Sequence, residues 1–363
     1  MRTKSIRKKT IVILALLVVV TMTLSCSEED LKLESLDAPE MILNTADLTV
    51  GNISTLVSFD PYEGEFPESI AVDRFGNIYV SMIRLQEIWK LDPEGNFVEV
   101  VASFPLYDGL FGVVGLRFDT QGNLYAGVVS PFEDIHGFWI ISPDGEKERI
   151  PGSGNITSIN DVAISPNGTV YMTDSSGAIW RYTGSGQAEI WVQDETLEGT
   201  GDYGLPIPIG ANGIVVVPGQ KMPFARDSGQ KSVGGVLVSN AEKGQLVYIP
   251  ILKDGTAGEP FVVISDPALF GLDGITLDAR GNIYGTANWL NSVVRISRDG
   301  STITQIAQGG LLDFPTGLAF GTGTDRHTLF VVNVAFGAAL EDANPSVVSI
   351  SLEPGQGRGG GRN

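Results

Sequence analysis

The sequence predicts an all-β fold, a six-bladed β-propeller with four antiparallel strands in each blade. Three observations favour it. Glycine is frequent, with 45 of 363 residues, and turn dipeptides are dense, which is typical of many short strands. A strand-turn-strand pattern occurs six times, and equivalent strand ends lie 43 to 61 residues apart, close to the spacing of propeller repeats. The body of the chain has no convincing amphipathic helix.

The clearest copy of the repeat runs from Leu272 to Tyr284. It consists of a short acidic turn, an apolar strand, a tight D-x-x-G-N turn and a second strand. Five cruder copies begin at Pro67, Val113, Ile159, Ala211 and Pro315. Four antiparallel strands joined by tight turns make one propeller blade, so each copy is expected to open a blade.

The first copy defines the expected blade. Its strands A to D are predicted at Ser69–Asp73, Ile78–Met82, Glu87–Asp92 and Phe97–Ala102. The following blades are predicted at Gly115–Ile150, Asp161–Val192, Gly213–Ile264, Gly274–Ala307 and Gly317–Leu352. The fourth carries an insertion around residues 221–226. Loops of a repeat fold tolerate such insertions because the packed strands are undisturbed.

The sixth copy supplies only three strands, at Gly317–Phe320, Thr328–Val334 and Ser346–Leu352. The segment Ile53–Phe59 precedes the first blade and matches the place of a strand D. We therefore expect the ring to be closed by the N-terminal strand joining the last blade, which removes an open sheet edge.

The first 26 residues differ from the rest of the chain. Five basic residues precede an apolar run from Ile11 to Val20, and the single cysteine is Cys26. This pattern predicts a lipoprotein-type signal peptide (1–26) ending at a lipidated Cys26. The protein is then exported and anchored to a membrane, in the periplasm or on the cell surface; secretion as a soluble protein is the alternative. Residues 27–50 are expected to form an acidic tether, 51–352 the propeller and 353–363 a disordered Gly/Arg tail.

The charge of the chain limits its partners. The formal net charge is −19, and it becomes −24 once the signal peptide, with five basic and no acidic residues, is removed. A body this acidic repels phosphate backbones, so nucleic acid is excluded as a partner. We expect a monomer that acts on a small molecule and contacts a membrane only through its lipid anchor.

Six equivalent positions lie five residues before the end of each strand A. They are Glu68, Val114, Asn160, Asn212, Asp273 and Thr316. Because strand A lines the central channel of a propeller, these positions converge at one channel mouth. For any one of them the alternative is an ordinary Asx turn. The aspartates of the D-x-x-G-N turns (Asp73, Asp119, Asp278) belong to the opposite face, where turn formation explains them.

The four polar members of this ring that carry carboxylate or amide oxygens favour a hard cation. Glu68, Asn160, Asn212 and Asp273 predict a Ca²⁺ site, with Mg²⁺ as an alternative, whereas zinc usually takes His or Cys. The two histidines, His136 and His327, have no partner motif and are interpreted as structural.

A second ring is expected at the ends of the B strands, at the same face. Three of its members are polar, Asp174, Asn240 and Asn333, and these are predicted to orient ligands or to touch substrate. Asp161 directly follows Asn160. It is predicted either to contact the metal ligands without binding the metal itself or to act in catalysis.

These motifs carry a family resemblance. Pro67–Asp73, Asn160–Gly168, Ala211–Ile214 and Asp273–Asp278 resemble the SMP-30/gluconolactonase/LRE-like family of six-bladed propellers. The resemblance implies a divalent cation, calcium or zinc, held by a Glu, two Asn and an Asp that match Glu68, Asn160, Asn212 and Asp273. It also implies hydrolysis of a lactone or ester, with Asp273 as general base or nucleophile.

One departure from the family bears on the substrate. The sugar lactonases carry an Arg two residues before the third-blade Asn, where this chain has Ser158. A sugar-acid lactone is therefore disfavoured. The squid-type diisopropylfluorophosphatases are similar, which leaves phosphotriester or aryl ester hydrolysis as an alternative. A ligand-binding propeller without catalysis is a further alternative, since a fold does not prove an activity.

Overall fold

The computed structural model describes residues 48–354, except 108, 110, 206, 220, 221 and 228. Its strands form six four-stranded antiparallel sheets. The predicted six-bladed propeller with four strands per blade is thus confirmed. The predictions for residues 1–47, including the lipidated Cys26, and for residues 355–363 lie outside the described residues.

The first three blades follow one another in simple strand order. Blade 1 consists of β2 (Pro67–Val72), β3 (Ile78–Met82), β4 (Glu87–Leu91) and β5 (Phe97–Ser103). Blade 2 consists of β6 (Val113–Phe118), β7 (Leu124–Val128), β8 (Gly137–Ile141) and β9 (Lys147–Arg149). Blade 3 consists of β10 (Ile159–Ile164), β11 (Val170–Asp174), β12 (Ala178–Tyr182) and β13 (Glu189–Gln193).

The last three blades repeat this arrangement. Blade 4 consists of β14 (Ala211–Pro218), β15 (Ser232–Asn240), β16 (Gln245–Leu252) and β17 (Phe261–Ser265). Blade 5 consists of β18 (Leu272–Leu277), β19 (Ile283–Ala287), β20 (Ser292–Ile296) and β21 (Ile303–Gln308). Blade 6 consists of β22 (Pro315–Phe320), β23 (Thr328–Asn333), β24 (Ser346–Pro354) and β1 (Leu48–Ser58).

Helical structure is confined to short segments among the described residues. The helix α1 (Pro223–Asp227) lies in the predicted insertion of blade 4. Single 3-10 turns occupy Pro61–Glu63, Ser153–Asn155, Glu195–Leu197, Pro267–Leu269, Asn288–Leu290 and Gly323–Asp325. None of the described helices is long and apolar enough to cross a membrane.

The ring closes as predicted, through the N-terminal strand. β1 pairs antiparallel with β24, from Leu48 opposite Pro354 to Ser58 opposite Ser346. The pairing is longer than the expected Ile53–Phe59 segment and includes residues 48–50 and 353–354. An outer strand that comes from the opposite end of the chain ties both ends together and covers the edge of blade 6.

The D-x-x-G-N turns at the face opposite the predicted metal ligands have the structural role expected of them. In blade 1, Asp73 Oδ1 accepts hydrogen bonds from the N–H groups of Phe75 and Asn77, at 2.8 and 2.9 Å. Asn77 Nδ2 donates to Asp73 Oδ2 at 2.8 Å. The same set recurs for Asp119 and for Asp278. The three carboxylates therefore accept hydrogen bonds within their own turns.

The core consists of apolar layers between the blades. Strand B residues such as Val80, Ala126 and Met172 are fully buried, and clusters of buried side chains run from one blade into the next. Packing the sheets face to face around a ring leaves the first strand of every blade at the central channel. This placement brings the predicted site residues together.

Candidate metal and active site

Every blade begins with the same irregularity in its first strand. In blade 1, Pro67 pairs with Met82 and Ile70 with Val80, so Glu68 and Ser69 together face the single residue Ser81. Equivalent register shifts occur in the other five blades. A β-bulge of this kind leaves one residue unpaired and redirects its side chain. It also explains why strand A begins at Pro67 rather than at the predicted Ser69, because the bulge interrupts the two-residue alternation.

Four strand B hydroxyls hold these bulges in place. The N–H groups of Ser69 and Asp161 donate to Ser81 Oγ and Thr173 Oγ1, at 2.8 and 2.7 Å. Ser239 Oγ donates to the carbonyl of Asp273 at 2.7 Å. Thr286 Oγ1 donates to the carbonyls of Gly274 and Thr316. The backbone groups that the bulges free are therefore paired by hydroxyls that the sequence interpretation missed.

The second bulge residue is glycine in four blades, and the reason is close approach between neighbouring blades. A Cβ on Gly213 would lie 2.3 Å from the Asp273 carbonyl, and one on Gly274 would lie 2.6 Å from the Thr316 carbonyl. The two exceptions use their side chains as links. Ser69 Oγ accepts from Leu116 N–H at 2.9 Å, and Asp161 Oδ2 accepts from Ile214 N–H at 3.0 Å. Neighbouring bulges thus form a continuous ring.

This ring surrounds a small cavity of about 20 Å³, room for one water molecule or ion. Its polar side chains include Glu68, Asn160, Asp161 and Asp273. Asn212 directly precedes the lining residue Gly213 in the sequence. The bulges therefore bring three of the four predicted metal ligands, Glu68, Asn160 and Asp273, to one cavity. The remaining ring members differ: Val114 is apolar, and Thr316 Oγ1 donates to the Glu68 carbonyl at 2.6 Å.

The carboxyl groups around the cavity have raised pKa values, chiefly because they are buried. Burial raises the pKa of Glu68 well above its usual range, and the charges of Asp273 and Asp161 raise it further. Burial raises the pKa of Asp273 to about 7, opposed by a hydrogen bond from Asn288. Burial also raises the pKa of Asp161, opposed chiefly by Arg117. Buried like charges of this kind favour a bound cation.

A second observation bears on whether these residues fit a metal ion. The Asn212 side chain is buried, and its Oδ1 atom is buried without any hydrogen-bond partner. Leaving an amide oxygen unpaired in the interior is costly, so a ligand that takes it up is favoured. No three His, Cys, Asp or Glu side chains of the described chain converge in metal-binding geometry. Two carboxylates and two Asn oxygens nevertheless match the donor chemistry of calcium.

Two further side chains act on the carboxylates. Arg117 Nη2 lies 3.9 Å from Asp161 Oδ2, and its guanidinium also reaches the carbonyls of Val162 and Ile214. Asn288 Nδ2 donates to Asp273 Oδ2 at 2.8 Å. Neither residue was predicted. Asn288 directly follows Ala287, the last residue of β19, so it lies one residue beyond the strand B end at which the second ring was predicted.

Comparisons with known proteins agree with this architecture. The model of the SMP-30/Gluconolactonase/LRE-like region matches residues 209–335. Residues 209–335 are therefore similar to this family. A strictosidine synthase-like N-terminal model matches residues 161–182. No curated protein matches the chain.

Solved structures share the fold of the chain at low identity. A gluconolactonase from Xanthomonas campestris has a TM-score of 0.58 at 15% identity, covering 85% of this chain and 91% of that one. A putative gluconolactonase has 0.58 at 16%, covering 84% and 92%. An auxiliary nutrient binding protein from Bacteroides ovatus has 0.58 at 12%, covering 84% and 76%. At these identities, the neighbours show that the fold is shared.

The SMP-30/gluconolactonase/LRE-like region contains two of the four predicted metal ligands, Asn212 and Asp273. Glu68 and Asn160 lie outside it, in blades 1 and 3. The structure brings these two to the same cavity through the bulges of β2 and β10. The site therefore extends beyond the part of the chain that the family model covers.

The polar residues of the second ring hold loops around this region. Asp174 accepts hydrogen bonds from the N–H groups of Thr157 and Ser158, both at 3.1 Å. Asn240 Nδ2 donates to the carbonyls of Thr196 and Glu198, both at 2.9 Å. Asn333 Nδ2 donates to Leu311 O and to Ser346 Oγ. These bonds account for the burial of all three, and their predicted contact with substrate stays a prediction.

The two histidines lie away from the cavity. His136 Nε2 is 2.8 Å from the carbonyl of Ile156, and its Nδ1 accepts from Ser130 N–H at 3.3 Å. The backbone of His327 accepts from Leu352 N–H in blade 6. These contacts agree with the structural role expected from the sequence.

Proposed function

We propose that the protein is a divalent-cation-dependent hydrolase of a lactone or ester. The observation that carries the proposal is the buried, unpartnered Oδ1 of Asn212 beside a cavity lined by Glu68, Asn160, Asp161 and Asp273. A buried oxygen without a donor, next to buried carboxyl groups with raised pKa values, supports a cation-binding role. A sugar-acid lactone is disfavoured because Ser158 stands where sugar lactonases have arginine.

The cation would be held by Glu68, Asn160, Asn212 and Asp273. Oxygen donors favour Ca²⁺, with Mg²⁺ or Zn²⁺ as alternatives. When bound, the cation would polarise the substrate carbonyl and lower the pKa of a water molecule.

Asp273 is assigned as the general base. As the oxygen of a water molecule adds to the carbonyl carbon, Asp273 takes a proton from that water. The bond from the carbonyl carbon to the ester oxygen then breaks, and the leaving alkoxide receives the proton from Asp273. A positioned carboxylate of this kind can serve as a general base. The hydrogen bond from Asn288 fixes the orientation of the Asp273 carboxylate.

The proposal predicts the effect of removing the Asp273 charge. We expect Asp273→Asn to lower kcat/KM for lactones and esters by about 10²-fold or more, because proton transfer by a positioned base contributes a factor of this order. The measurement is hydrolysis of a panel of lactones, aryl esters and phosphotriesters with calcium and with a chelator. Asp278→Asn, the same change at the other end of β18, is the matched control and should leave turnover within about twofold.

Two outcomes would contradict the proposal. Turnover that is unaffected by both the chelator and Asp273→Asn would exclude the assigned site. No turnover of any compound, while calcium still binds and stabilises the protein, would favour a ligand-binding propeller.

A further inference from the structure

We propose that the substrate carries a flat apolar group, an aryl ring, next to its carbonyl, and that this group binds an aromatic wall beside Asp273. The wall consists of Tyr203, Phe270, Trp289 and Phe314. The inference deepens the proposed function and rests on it for the chemistry. The inference goes beyond the proposed function because it assigns substrate binding to residues that neither hold the metal nor act in catalysis.

The four rings of the wall are in mutual contact. Tyr203 lies 5.4 Å from Phe270 and 5.0 Å from Trp289, measured between ring centroids. Trp289 lies 5.6 Å from Phe314. Although it is surrounded by three rings, Trp289 remains 46% exposed. An exposed aromatic surface held by other aromatic side chains can stack a planar group.

The wall is connected directly to the catalytic carboxylate. Asn288 donates to Asp273 Oδ2 through Nδ2 and accepts from Trp289 N–H through Oδ1, at 2.8 and 2.7 Å. Gly271 lies against this pair, since a Cβ there would be 2.5 Å from Asn288 Oδ1. The backbone of Trp289 is therefore fixed relative to Asp273.

Tyr203 adds a polar group to the wall. Its hydroxyl is buried without a hydrogen-bond partner. Burial, together with the charges of Asp273 and Glu242, raises the pKa of Tyr203, which remains a neutral donor. A buried hydroxyl without a partner is costly unless a ligand accepts its hydrogen bond. The ester oxygen of a substrate beside Asp273 is such an acceptor.

The loop that carries Tyr203 is held in place by one buried carboxylate. Glu242 is 3% exposed and accepts hydrogen bonds from the N–H groups of Thr200, Gly201 and Ile209. These bonds fasten both ends of the loop around Tyr203. The wall is thus built from a loop between blades 3 and 4 and from loops of blades 4 to 6.

The backbone of Phe314 supports a role in orienting the wall. Its φ of 50° lies in the left-handed region, which a bulky residue rarely adopts. Asn291 Oδ1 accepts from its N–H at 2.7 Å, and its carbonyl accepts from Val334 N–H. Such backbone strain persists only where the surroundings fix it.

The face around the wall is also apolar. More than half of the exposed large hydrophobic side chains among the described residues lie in loops of this face. They are Tyr62, Leu106, Phe111, Phe132, Leu205, Ile207, Trp289, Leu311 and Leu340. An apolar approach to the cavity favours an aryl substrate over a polyhydroxylated one.

The test compares two lactones that differ by a fused ring, isochroman-3-one and δ-valerolactone, with calcium present; both release an alkoxide, so their leaving groups are matched. We expect wild-type kcat/KM to be higher for isochroman-3-one by about tenfold or more, the factor that pocket contacts of this size supply. Trp289→Ala should remove most of that preference, with a larger loss of kcat/KM for the aryl lactone than for δ-valerolactone. Tyr203→Phe, which removes only the hydroxyl, should raise KM for both lactones without loss of thermal stability.

Binding provides a readout that does not depend on turnover. Calorimetric titration with 3-phenylpropanoate and with propanoate should show tighter binding of the aryl acid, by about tenfold, that is lost in Trp289→Ala. If neither lactone is hydrolysed but this preference holds, the proposed function fails and the aryl subsite stands.

Phe75→Ala is the matched control. Phe75 is 70% exposed in a turn at the opposite face, so its removal should change neither reaction nor binding. Equal kcat/KM for the two lactones, or equal loss on both in Trp289→Ala, would overturn the aryl subsite while leaving the hydrolase intact. Loss of thermal stability in Tyr203→Phe would show that the hydroxyl serves the fold and would overturn its role toward substrate.

Discussion

The Asn212 amide separates the requirements of folding from those of binding. Its Oδ1 atom is buried and unpaired. In the metal-free protein, the Asn212 side chain therefore stabilises the fold no more than an apolar side chain of similar size would. Three buried carboxyls with raised pKa values add to the same imbalance. Residues that lower the stability of the metal-free protein in this way are expected where a bound ligand compensates for the loss of stability.

Substitution of Asn212 tests this imbalance. We expect Asn212→Leu to change the free energy of unfolding of the chelator-treated protein by less than about 1 kcal/mol, since no hydrogen bond to Oδ1 is lost. The rise in Tm on adding calcium should disappear or fall sharply, because one oxygen ligand is gone. Chemical and thermal unfolding with and without calcium measure both effects.

Asn282→Leu is the matched control for Asn212→Leu. Asn282 is also buried, but its Nδ2 donates to Asp278 Oδ2 at 2.7 Å. Its replacement should therefore destabilise the protein by about 1–3 kcal/mol and leave the calcium-dependent rise in Tm unchanged. An unaltered calcium response in Asn212→Leu would remove Asn212 from the ligand set.

At the scale of the element, the bulge at the start of each strand A creates the site. Six identical strands without bulges would alternate between channel and sheet interior, and two consecutive residues could not both face the channel region. The bulges at Glu68 and Ser69, and at Asn160 and Asp161, allow this. The bulges are tolerated because strand B hydroxyls pair the freed backbone groups. Glycine at the second bulge position leaves room for the backbone of the neighbouring blade.

The Ser239 hydroxyl tests the contribution of one bulge. Its Oγ is buried and donates to the carbonyls of Asp273 and Gly213. We expect Ser239→Ala to lower the free energy of unfolding by about 1–3 kcal/mol, because a buried carbonyl loses its donor. Calcium affinity should fall as well, since the lost bond fixes the backbone that carries Asp273. Denaturant unfolding and calcium titration measure these effects.

Ser54→Ala is the corresponding control at an exposed strand position. Ser54 Oγ lies 3.0 Å from Ser349 Oγ in blade 6, where water replaces the partner. We expect it to change stability by less than about 0.5 kcal/mol. If Ser239→Ala behaves like this control, the hydroxyls do not hold the bulges.

The sequence predicted the elements better than their irregularities. The D-x-x-G-N turns and apolar strands gave the blades, and equal spacing from the strand ends gave the ring from Glu68 to Thr316. The bulges could not be predicted, because a residue-by-residue alternation assumes regular pairing. Tyr203 and Asn288 were missed for a different reason: they lie in loops whose path is set by distant contacts with Glu242 and Asp273.

For the whole molecule, the ring explains how similar blades support a site that occurs once. The scaffold repeats six times, while the residue at the channel mouth changes from blade to blade: Glu68, Val114, Asn160, Asn212, Asp273 and Thr316. Closure through β1 and β24 makes the register of all six blades interdependent. Chemistry can therefore vary at one position of each repeat without changing the fold.

We predict that the location of the molecule depends on Cys26, the single cysteine of the sequence. We expect the full-length protein, expressed in a bacterial host that processes lipoproteins, to enter the detergent phase of a phase-separation assay. A lipid anchor on Cys26 supplies the apolar surface for this, since each buried methylene contributes about 0.8 kcal/mol. Cys26→Ser should move the protein to the aqueous phase with its calcium response intact, because Cys26 precedes β1 (Leu48–Ser58), the first described strand of the propeller, in the sequence. Cys26→Ser protein that stays in the detergent phase, or wild-type protein found in the aqueous phase, would favour secretion as a soluble protein.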